Sequence, residues 1–291
     1  MIANKLSFAT VFLVFAVPII TSIILRYLTP PIDHGTGSMF DLIASRYDFI
    51  NRVLSLNLDT GWRRTLVKEV TSNGDIFKRQ KEKIQILDLA TGTADLAILL
   101  AKQYELVAPT DVRASILGVD PSQKMITIGR EKIDALDLSN IITLELGDAR
   151  NLTKLDDDFF HVATMSFGIR NVPEKEQVLC EIHRVLHKKQ GQMAILEFSE
   201  PTEEAGIMGV FARFFIRYIV PIIGAVLSGS PTEYIHLQNS IKDFPPPKEF
   251  VRIIEGITCG ERGVGSFKVN VSKPLNFGSV HLYIATPVIV E

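Results

Sequence analysis

Three aspartates follow apolar stretches whose length is typical of β-strands. Asp88 lies near the end of IQILDL, Asp120 ends SILGVD, and Asp148 ends IITLELGD. A single acid in such a place is more often a helix cap or a turn former than a ligand. The carboxyl ends of parallel strands, however, meet at one edge of a sheet, where sheets of this kind bind ligands. Three acids in succession therefore predict a polar ligand at that edge.

The turn after Asp88 consists of small residues, ATGTA, and helix-type apolar spacing follows it. A strand, a tight turn and a helix start together offer free backbone N–H groups to a polar cofactor. Dinucleotide sites use the pattern G-x-G-x-x-G, whereas here Gly92 is the one glycine of the turn and Asp95 adds a negative charge. That charge favours the cationic sulfonium of S-adenosylmethionine over a pyrophosphate. A nicotinamide or flavin dinucleotide is the alternative cofactor.

Strand and helix patterns alternate around these acids, which predicts an α/β fold with a mostly parallel sheet and helices on both faces. Two helices, at residues 39–56 and 62–70, precede the first strand and are expected to cover the ligand edge as a lid. Later strands are expected at residues 115–120, 141–149, 161–166, 192–201, 265–271 and 279–286.

Two long apolar runs lie outside this alternation. Residues 6–25 carry no charge and as a helix would reach about 30 Å, the thickness of a bilayer core. A retained anchor is favoured there over a removed presequence or signal, and residues 30–38 are interpreted as a linker. Residues 206–229 include Arg213 and Arg217, which make a full span costly. This run is expected to lie at an interface or to cover a pocket, with burial in the core as the alternative.

The net charge of -2 argues against wholesale nucleic-acid binding, because a phosphate backbone is normally met by clustered Lys and Arg. Cys180 and Cys259 lie far apart, with no Cys or His at metal-binding spacing. Both are interpreted as reduced thiols, and no metal site is predicted.

The chain contains, in this order, MFDLIASRYDFINRVLSL, LDLATGTADLA, LGDARNL, SFGIRNVPE, HRVL and ILEFSEP. Together these motifs resemble the ubiquinone/menaquinone biosynthesis C-methyltransferases, over about residues 39–250. The resemblance implies a class I methyltransferase fold, a Rossmann-like α/β fold with a seven-stranded, mostly parallel sheet whose last strand is antiparallel. We expect an anchor or targeting segment at residues 1–32 and a methyltransferase domain at 33–291. Within that domain, lid helices are expected at about 38–72 and an apolar helical insertion at about 202–243.

The family pattern also assigns site residues. The residues that would bind S-adenosylmethionine are Asp88, Gly92, Thr93, Asp95, Asp120, Asp148, Ala149 and Ser166. Among them, Asp120 would take the ribose hydroxyls, and Asp148 and Ala149 would border the adenine. The positions that match the substrate side are Tyr47, Arg170 and Asn171. The sequence departs from the pattern at Ala94, where many relatives have glycine, and near His281, where the spacing of the family's ending is altered.

The implied reaction is methylation of a ring carbon on a polyprenylated hydroquinone, in menaquinone or ubiquinone biosynthesis. Arg170 would stabilise the phenolate, unless it serves only in a salt bridge at the strand tip, while Asn171 and Tyr47 would orient the hydroxyls. The base would be a water beside Arg170, or His281. The alternatives are a non-catalytic membrane-tethered scaffold of a quinone-synthesis complex and a dinucleotide-dependent oxidoreductase.

The same resemblance implies binding partners and a cellular location. A membrane, other quinone-biosynthesis enzymes and a second copy of the chain are the expected partners. The expected location is a mitochondrial inner membrane or a plastid in a eukaryote, or the cytoplasmic face of the membrane in a bacterium.

Overall fold

One seven-stranded sheet forms the centre of the fold. The structure is a computed structural model that describes residues 16–28, 37–72, 83–107, 114–228, 231–260 and 265–289. The strands are β1 (Ile84–Leu89), β2 (Ala114–Asp120), β3 (Ile142–Leu146), β4 (Val162–Ser166), β5 (Gln192–Phe198), β6 (Gly265–Leu275) and β7 (Val280–Ile289). Their order is β3-β2-β1-β4-β5-β7-β6, with β1 to β5 parallel and β7 antiparallel to both neighbours. The predicted class I architecture is confirmed.

The helices follow the predicted alternation. They are α1 (Val17–Leu28), α2 (Ser38–Leu54), α3 (Leu58–Ser72), α4 (Asp95–Val107), α5 (Gln123–Asp134), α6 (Lys175–Val185), α7 (Gly206–Phe214), α8 (Val220–Ser228), α9 (Pro231–Asp243) and α10 (Pro247–Gly256). A π-helical turn, Phe215–Ile219, joins α7 to α8, so the two form one continuous run.

Apolar side chains of the central strands point alternately to two cores. In β1, Ile86 belongs to the core packed against α3, α4 and α5, while Leu87 belongs to the core packed against α6 and α10. A strand covered on both faces must be apolar at nearly every position, because successive side chains point to opposite sides. This is why the strands are visible in the sequence as unbroken apolar runs.

Helix α2 is fixed to the edge of the sheet where β2 ends. Its N-cap, Gly37, has φ of 73°, and a Cβ there would lie 2.6 Å from the carbonyl oxygen of Pro121. One turn later, the Asp41 carboxylate accepts hydrogen bonds from the Ser122 hydroxyl at 2.6 Å and from the Lys124 N–H at 3.0 Å. Only glycine allows this approach, and it places α2 across the carboxyl ends of the strands.

The two apolar runs differ in what can be described. Most of the predicted anchor at residues 1–32 lies outside the described residues. Within that range the structure describes residues 16–28, which contain α1. Within the described part of the chain, one helix, Gly206–Ser228, is long and apolar enough to cross a membrane by length and composition. Its Arg217 pairs with Glu200 at 2.6 Å, and its Arg213 donates to the Pro201 carbonyl at 2.8 Å.

The prediction of two reduced thiols is wrong. Cys180 in α6 and Cys259 after α10 form a disulfide, with their Cα atoms 5.2 Å apart despite a separation of 79 residues. The packing of α10 beside α6 brings the two together. Sequence spacing carries no trace of that helix pairing, so the cysteines looked unrelated.

Candidate active site

The turn after β1 has a strained backbone. Ala90, Gly92 and Ala94 all have positive φ, at 49°, 57° and 67°. Left-handed backbone is costly for alanine and persists only where the surroundings enforce it. Such strain is concentrated at functional sites, and here it lies at the switch point of the sheet, where β1 is flanked by β2 and β4.

Asp88 holds this turn from beneath. It is buried, and its carboxylate accepts hydrogen bonds from the hydroxyls of Thr91 and Thr164, each at 2.7 Å. Burial raises the pKa of Asp88 to about 6, while the two hydroxyl donors act in the opposite direction. Both of its oxygens are occupied by the turn and by β4, so Asp88 shapes the site without facing its cavity.

Asp120 holds the same turn from the side. One oxygen accepts the Gly92 N–H at 2.8 Å, and the other accepts the Ser122 N–H at 2.9 Å. Burial raises the pKa of Asp120 to about 6, and those two N–H groups oppose the rise. A carboxylate offers about four acceptor positions, so this one retains capacity for two more donors.

A cavity opens at the carboxyl ends of β1, β2 and β4, and we call it the strand-tip cavity. Of the predicted residues, those that line it are Gly92, Asp120, Asp148, Ala149, Ser166, Tyr47 and Asn171. A Cβ added at Gly92 would meet no atom within 4 Å, so the backbone there lies open to a ligand. The structure thus brings together most of the predicted cofactor set.

Thr93 and Asp95 do not line this cavity. The Lys132 ammonium donates to Asp95 at 2.5 Å and to Thr93 at 3.1 Å, and the Arg52 guanidinium donates to Asp95 at 2.5 Å. Burial alone would raise the pKa of Asp95, but the neighbouring cations, Lys132 first among them, hold it below its usual range. The negative charge that favoured a sulfonium cofactor is therefore already paired within the protein.

Asp148 has a partner that the sequence analysis missed. The Arg150 guanidinium holds its carboxylate through contacts of 2.6 to 3.1 Å and reaches Glu174 at 2.8 Å. Although burial favours the neutral acid, the hydrogen bonds from Arg150 lower the pKa of Asp148. Arg150 also lines the strand-tip cavity.

A second cavity of about 340 Å³ adjoins the first, and we call it the apolar cavity. The residues that line both cavities are Met39, Phe40, Tyr47, Phe167, Asn171 and His236. The wall formed by α7, α8 and the turn between them includes Phe211, Phe215 and Val220. The helical run at 206–228 therefore covers a pocket, which is one of the two roles, interfacial or pocket-covering, predicted for it.

Aromatic rings and a buried arginine form the inner end of the apolar cavity. The rings of Phe167 and Phe198 lie 4.6 Å apart, and Trp62 meets each of them edge-on at 6.2 Å. Arg170 donates to Glu197 at 2.6 Å and to the Phe167 carbonyl at 2.7 Å, with its guanidinium 5.1 Å from the Phe198 ring centre. The salt bridge that was the alternative for Arg170 is present, yet the side chain also lines the cavity.

A model of the ubiE/COQ5 methyltransferase family matches residues 32–268. The chain belongs to this family. It is 37% identical over 219 residues to the ubiquinone/menaquinone biosynthesis C-methyltransferase UbiE of Geotalea uraniireducens, covering 75% of this chain and 85% of the relative. It is also 37% identical over 216 residues to the demethylmenaquinone methyltransferase of Deinococcus radiodurans, covering 74% of this chain and 81% of the relative.

Solved structures support the fold. A geranyl diphosphate methyltransferase shares it with a TM-score of 0.51 at 10% identity, covering 79% of this chain and 78% of the other. As a member of the ubiE/COQ5 family, the chain is an S-adenosylmethionine-dependent C-methyltransferase. Nothing in the comparisons favours a scaffold or a dinucleotide oxidoreductase.

The side chain of His281 is held within the sheet. It lies on β7 opposite Glu197, is buried, and contacts the Ser272 hydroxyl at 2.9 Å through Nε2. Burial lowers its pKa to about 4. His281 lines neither the strand-tip cavity nor the apolar cavity, and its suggested role as a base stays a prediction.

The structure adds His236 and Arg63 to the candidate site. His236, on α9, lines both cavities, and its Nε2 lies 3.2 Å from Oδ1 of Asn171. Arg63, on α3, is buried and lines the apolar cavity. A sequence signal existed for Arg63 alone, which shares a helical face with Leu66 and Val70, and polar residues in such places are usually structural.

Proposed function

We propose that the strand-tip cavity binds S-adenosylmethionine and that the apolar cavity binds a polyprenyl hydroquinone, whose ring carbon is methylated. One observation supports this arrangement above all. An acid-lined cavity and a large apolar cavity meet at Tyr47, Phe167, Asn171 and His236, so a methyl donor and an apolar acceptor would face each other there. The names of the relatives point to the same class of substrate.

The residues of the strand-tip cavity fit S-adenosylmethionine as the methyl donor. Asp120 retains acceptor capacity for ribose hydroxyls, the open backbone at Gly92 admits close approach, and Asp148, Ala149 and Ser166 complete the lining. Asp88, Thr93 and Asp95 act indirectly, by holding the turn and the start of α4. S-adenosylmethionine, when bound, supplies an electrophilic methyl group.

The protein's task on the other side is to activate a ring carbon. Such a carbon is a weak nucleophile until a hydroxyl on the ring loses its proton and donates electron density. Arg170 stays charged and would stabilise that oxyanion. Tyr47 and Asn171 would orient the hydroxyls at the junction of the two cavities.

His236 is our candidate for the proton acceptor. Its imidazole lines both cavities and lies with Nε2 3.2 Å from Oδ1 of Asn171, so the ring is held where the methyl donor and the hydroquinone would meet. We expect His236→Gln, which can still donate to Asn171, to lower kcat by about 10²-fold and to remove the acidic limb of the pH–rate profile. His187→Gln, a half-buried histidine outside both cavities, is the control. A variant that keeps the wild-type acidic limb would exclude His236 as the base.

The polyprenyl tail would leave through the mouth of the apolar cavity. Several residues line this cavity and are also strongly exposed: Leu56, Leu58, Met208, Phe211 and Phe277. Monomeric soluble proteins seldom expose contiguous apolar patches unless they meet a partner or a membrane. We infer that this mouth faces a bilayer, in an organelle if the source is eukaryotic, and that the tail passes through it from the membrane.

The tail route is testable by narrowing the cavity. Ala212→Trp adds bulk to its wall, whereas the control Val226→Trp places the same indole at a position 78% exposed on α8. We expect the first variant to raise KM for a long-chain quinol about tenfold, because the tail loses several buried CH₂ groups. KM for a quinol without a tail should stay unchanged. Equal effects of the two variants on both substrates would argue against this route.

The anchor proposal concerns residues 1–30. Because residues 6–25 are long enough to span a bilayer, their removal is expected to move most of the protein from the membrane pellet to the soluble fraction. Fractionation followed by immunoblotting measures the change. An unchanged distribution would assign membrane attachment to the cavity mouth alone.

A labelled-methyl assay tests the function itself. The full chain is incubated with radiolabelled S-adenosylmethionine and either demethylmenaquinol or the benzoquinol precursor of ubiquinone, and the quinone is extracted and counted. Label in at least one of the two supports the proposal and identifies the preferred ring. Label in neither refutes it.

A further inference from the structure

Arg63 is a second arginine at the inner end of the apolar cavity. Its side chain is 9% exposed, and its Nη1 donates to Oδ2 of Asp59 at 2.5 Å. Its Nε is buried without a hydrogen-bond partner among the described residues. A buried donor without a partner costs free energy, so its retention suggests a ligand that meets it.

Arg63 and Arg170 have matching surroundings. The guanidinium of Arg63 lies 5.1 Å from the ring centre of Phe167, as that of Arg170 lies 5.1 Å from Phe198. The two rings are neighbours, each arginine has a carboxylate partner, and the Nε of Arg170 likewise has no partner among the described residues. Two cations therefore flank one aromatic surface within one cavity.

The carboxylate beside Arg63 is shared. Asp59 also accepts hydrogen bonds from Arg52 and, at 2.9 Å, from the Ser55 hydroxyl. Arg52 reaches onward to Asp95 at the start of α4. Asp59 thus divides its charge between two guanidinium groups, which leaves Arg63 less fully compensated than a one-to-one pair would.

The positive charges of Arg170 and Arg63 both affect the pKa of Tyr47. Burial raises the pKa of its phenol, whereas the charges of Arg170 and Arg63 both act to lower it. A hydroquinone hydroxyl is also a phenol, and Tyr47 lines the junction where that hydroxyl would lie. Both cations therefore act where the substrate would ionise.

We propose that Arg63 is a second catalytic cation, which together with Arg170 binds the ionised hydroxyl of the acceptor ring. This inference rests on the proposed function. The O–H bond breaks heterolytically, the proton passes to the base, and the electron pair stays on oxygen, where the two guanidinium groups balance its charge. The oxidation state of the ring does not change.

The test uses a probe that needs no methyl transfer. 1-Naphthol absorbs differently as phenol and phenolate, so a pH titration of its absorbance with the full chain in excess gives the pKa of the bound probe. We expect this pKa to lie below that of free 1-naphthol, and Arg63→Gln to raise it by about one pH unit or more. Arg63→Lys should restore part of the shift, and Arg64→Gln, an exposed neighbour on the same helix, should change nothing.

Kinetics complete the test. We expect Arg63→Gln to lower kcat/KM for the quinol by about 10- to 10²-fold, with the acidic limb of the profile moved to higher pH. Cofactor affinity by calorimetry should stay within about twofold. A bound-probe pKa that is the same in wild type and Arg63→Gln overturns the inference, whatever the assay shows. Conversely, a wild-type protein that labels neither quinol but lowers the probe's pKa through Arg63 refutes the proposed function and leaves the cation pair standing.

Discussion

Replacing Arg170 with glutamine is expected to lower kcat for quinol methylation by about 10³-fold, with little change in cofactor affinity. The guanidinium lies beside the aromatic end of the apolar cavity, where it would meet the phenolate of the activated ring. Loss of one donor to a developing oxyanion typically costs two to three orders of magnitude. Single-turnover kinetics with a saturating methyl donor would measure the effect.

A stability loss must be separated from this catalytic loss. Glu197 is fully buried, so removing its partner leaves an unpaired carboxylate at a cost of about 3–5 kcal/mol. The double variant Arg170→Gln/Glu197→Gln removes that charge and is expected to recover most of the thermal stability but none of the activity. Recovery of activity along with stability would show that Arg170 serves only as the salt bridge.

Replacing Asp120 with alanine is expected to weaken S-adenosylmethionine binding by about 10³-fold. Two hydrogen bonds from ribose hydroxyls to a carboxylate are worth about 1.5–3 kcal/mol each, and the turn also loses its anchor at the Gly92 N–H. Isothermal titration calorimetry measures the affinity. Asp156→Ala, an exposed aspartate, is the matched control and should bind normally. Near-normal affinity of Asp120→Ala would remove this residue from the cofactor site.

The pH dependence of cofactor binding tests Asp120 in another way. Because burial raises its pKa to about 6, the carboxyl is ionised and a full acceptor above that pH and becomes protonated below it. Affinity should therefore be level from pH 8 to about 7 and fall below pH 6, by at most tenfold per pH unit for one proton. Asp120→Asn should lose this dependence. Asp88 titrates in the same range but does not line the cavity, so a slope that persists in the variant would point to it instead.

The fold was predictable because strands covered on both faces are apolar throughout. The run at 84–89 and its counterparts have that form, and the motif SFGIRN identified the residues around Arg170. The direction in which side chains point was harder to predict from the sequence. Asp88 and Asp95 lie on either side of a turn that contains left-handed residues, where neither strand nor helix periodicity predicts which way a carboxylate points. Their hydrogen bonds turn them away from the strand-tip cavity.

Residues brought in by distant helices were not predictable. His236 reaches Asn171 from α9, and Arg63 reaches Phe167 from α3, each across a large separation in the chain. The disulfide depends in the same way on the packing of α10 beside α6. Tertiary contacts of this kind leave no local pattern in a single sequence.

The most direct measurement of the central claim is the position of the transferred methyl group. The full chain is supplied with S-adenosylmethionine carrying a ¹³C-methyl label and with the quinol that it methylates, and the product is examined by ¹³C NMR. A resonance in the aryl-methyl range would show transfer to a ring carbon, as an arginine-stabilised phenolate beside the donor predicts. A methoxy resonance, or product without label, would contradict the account.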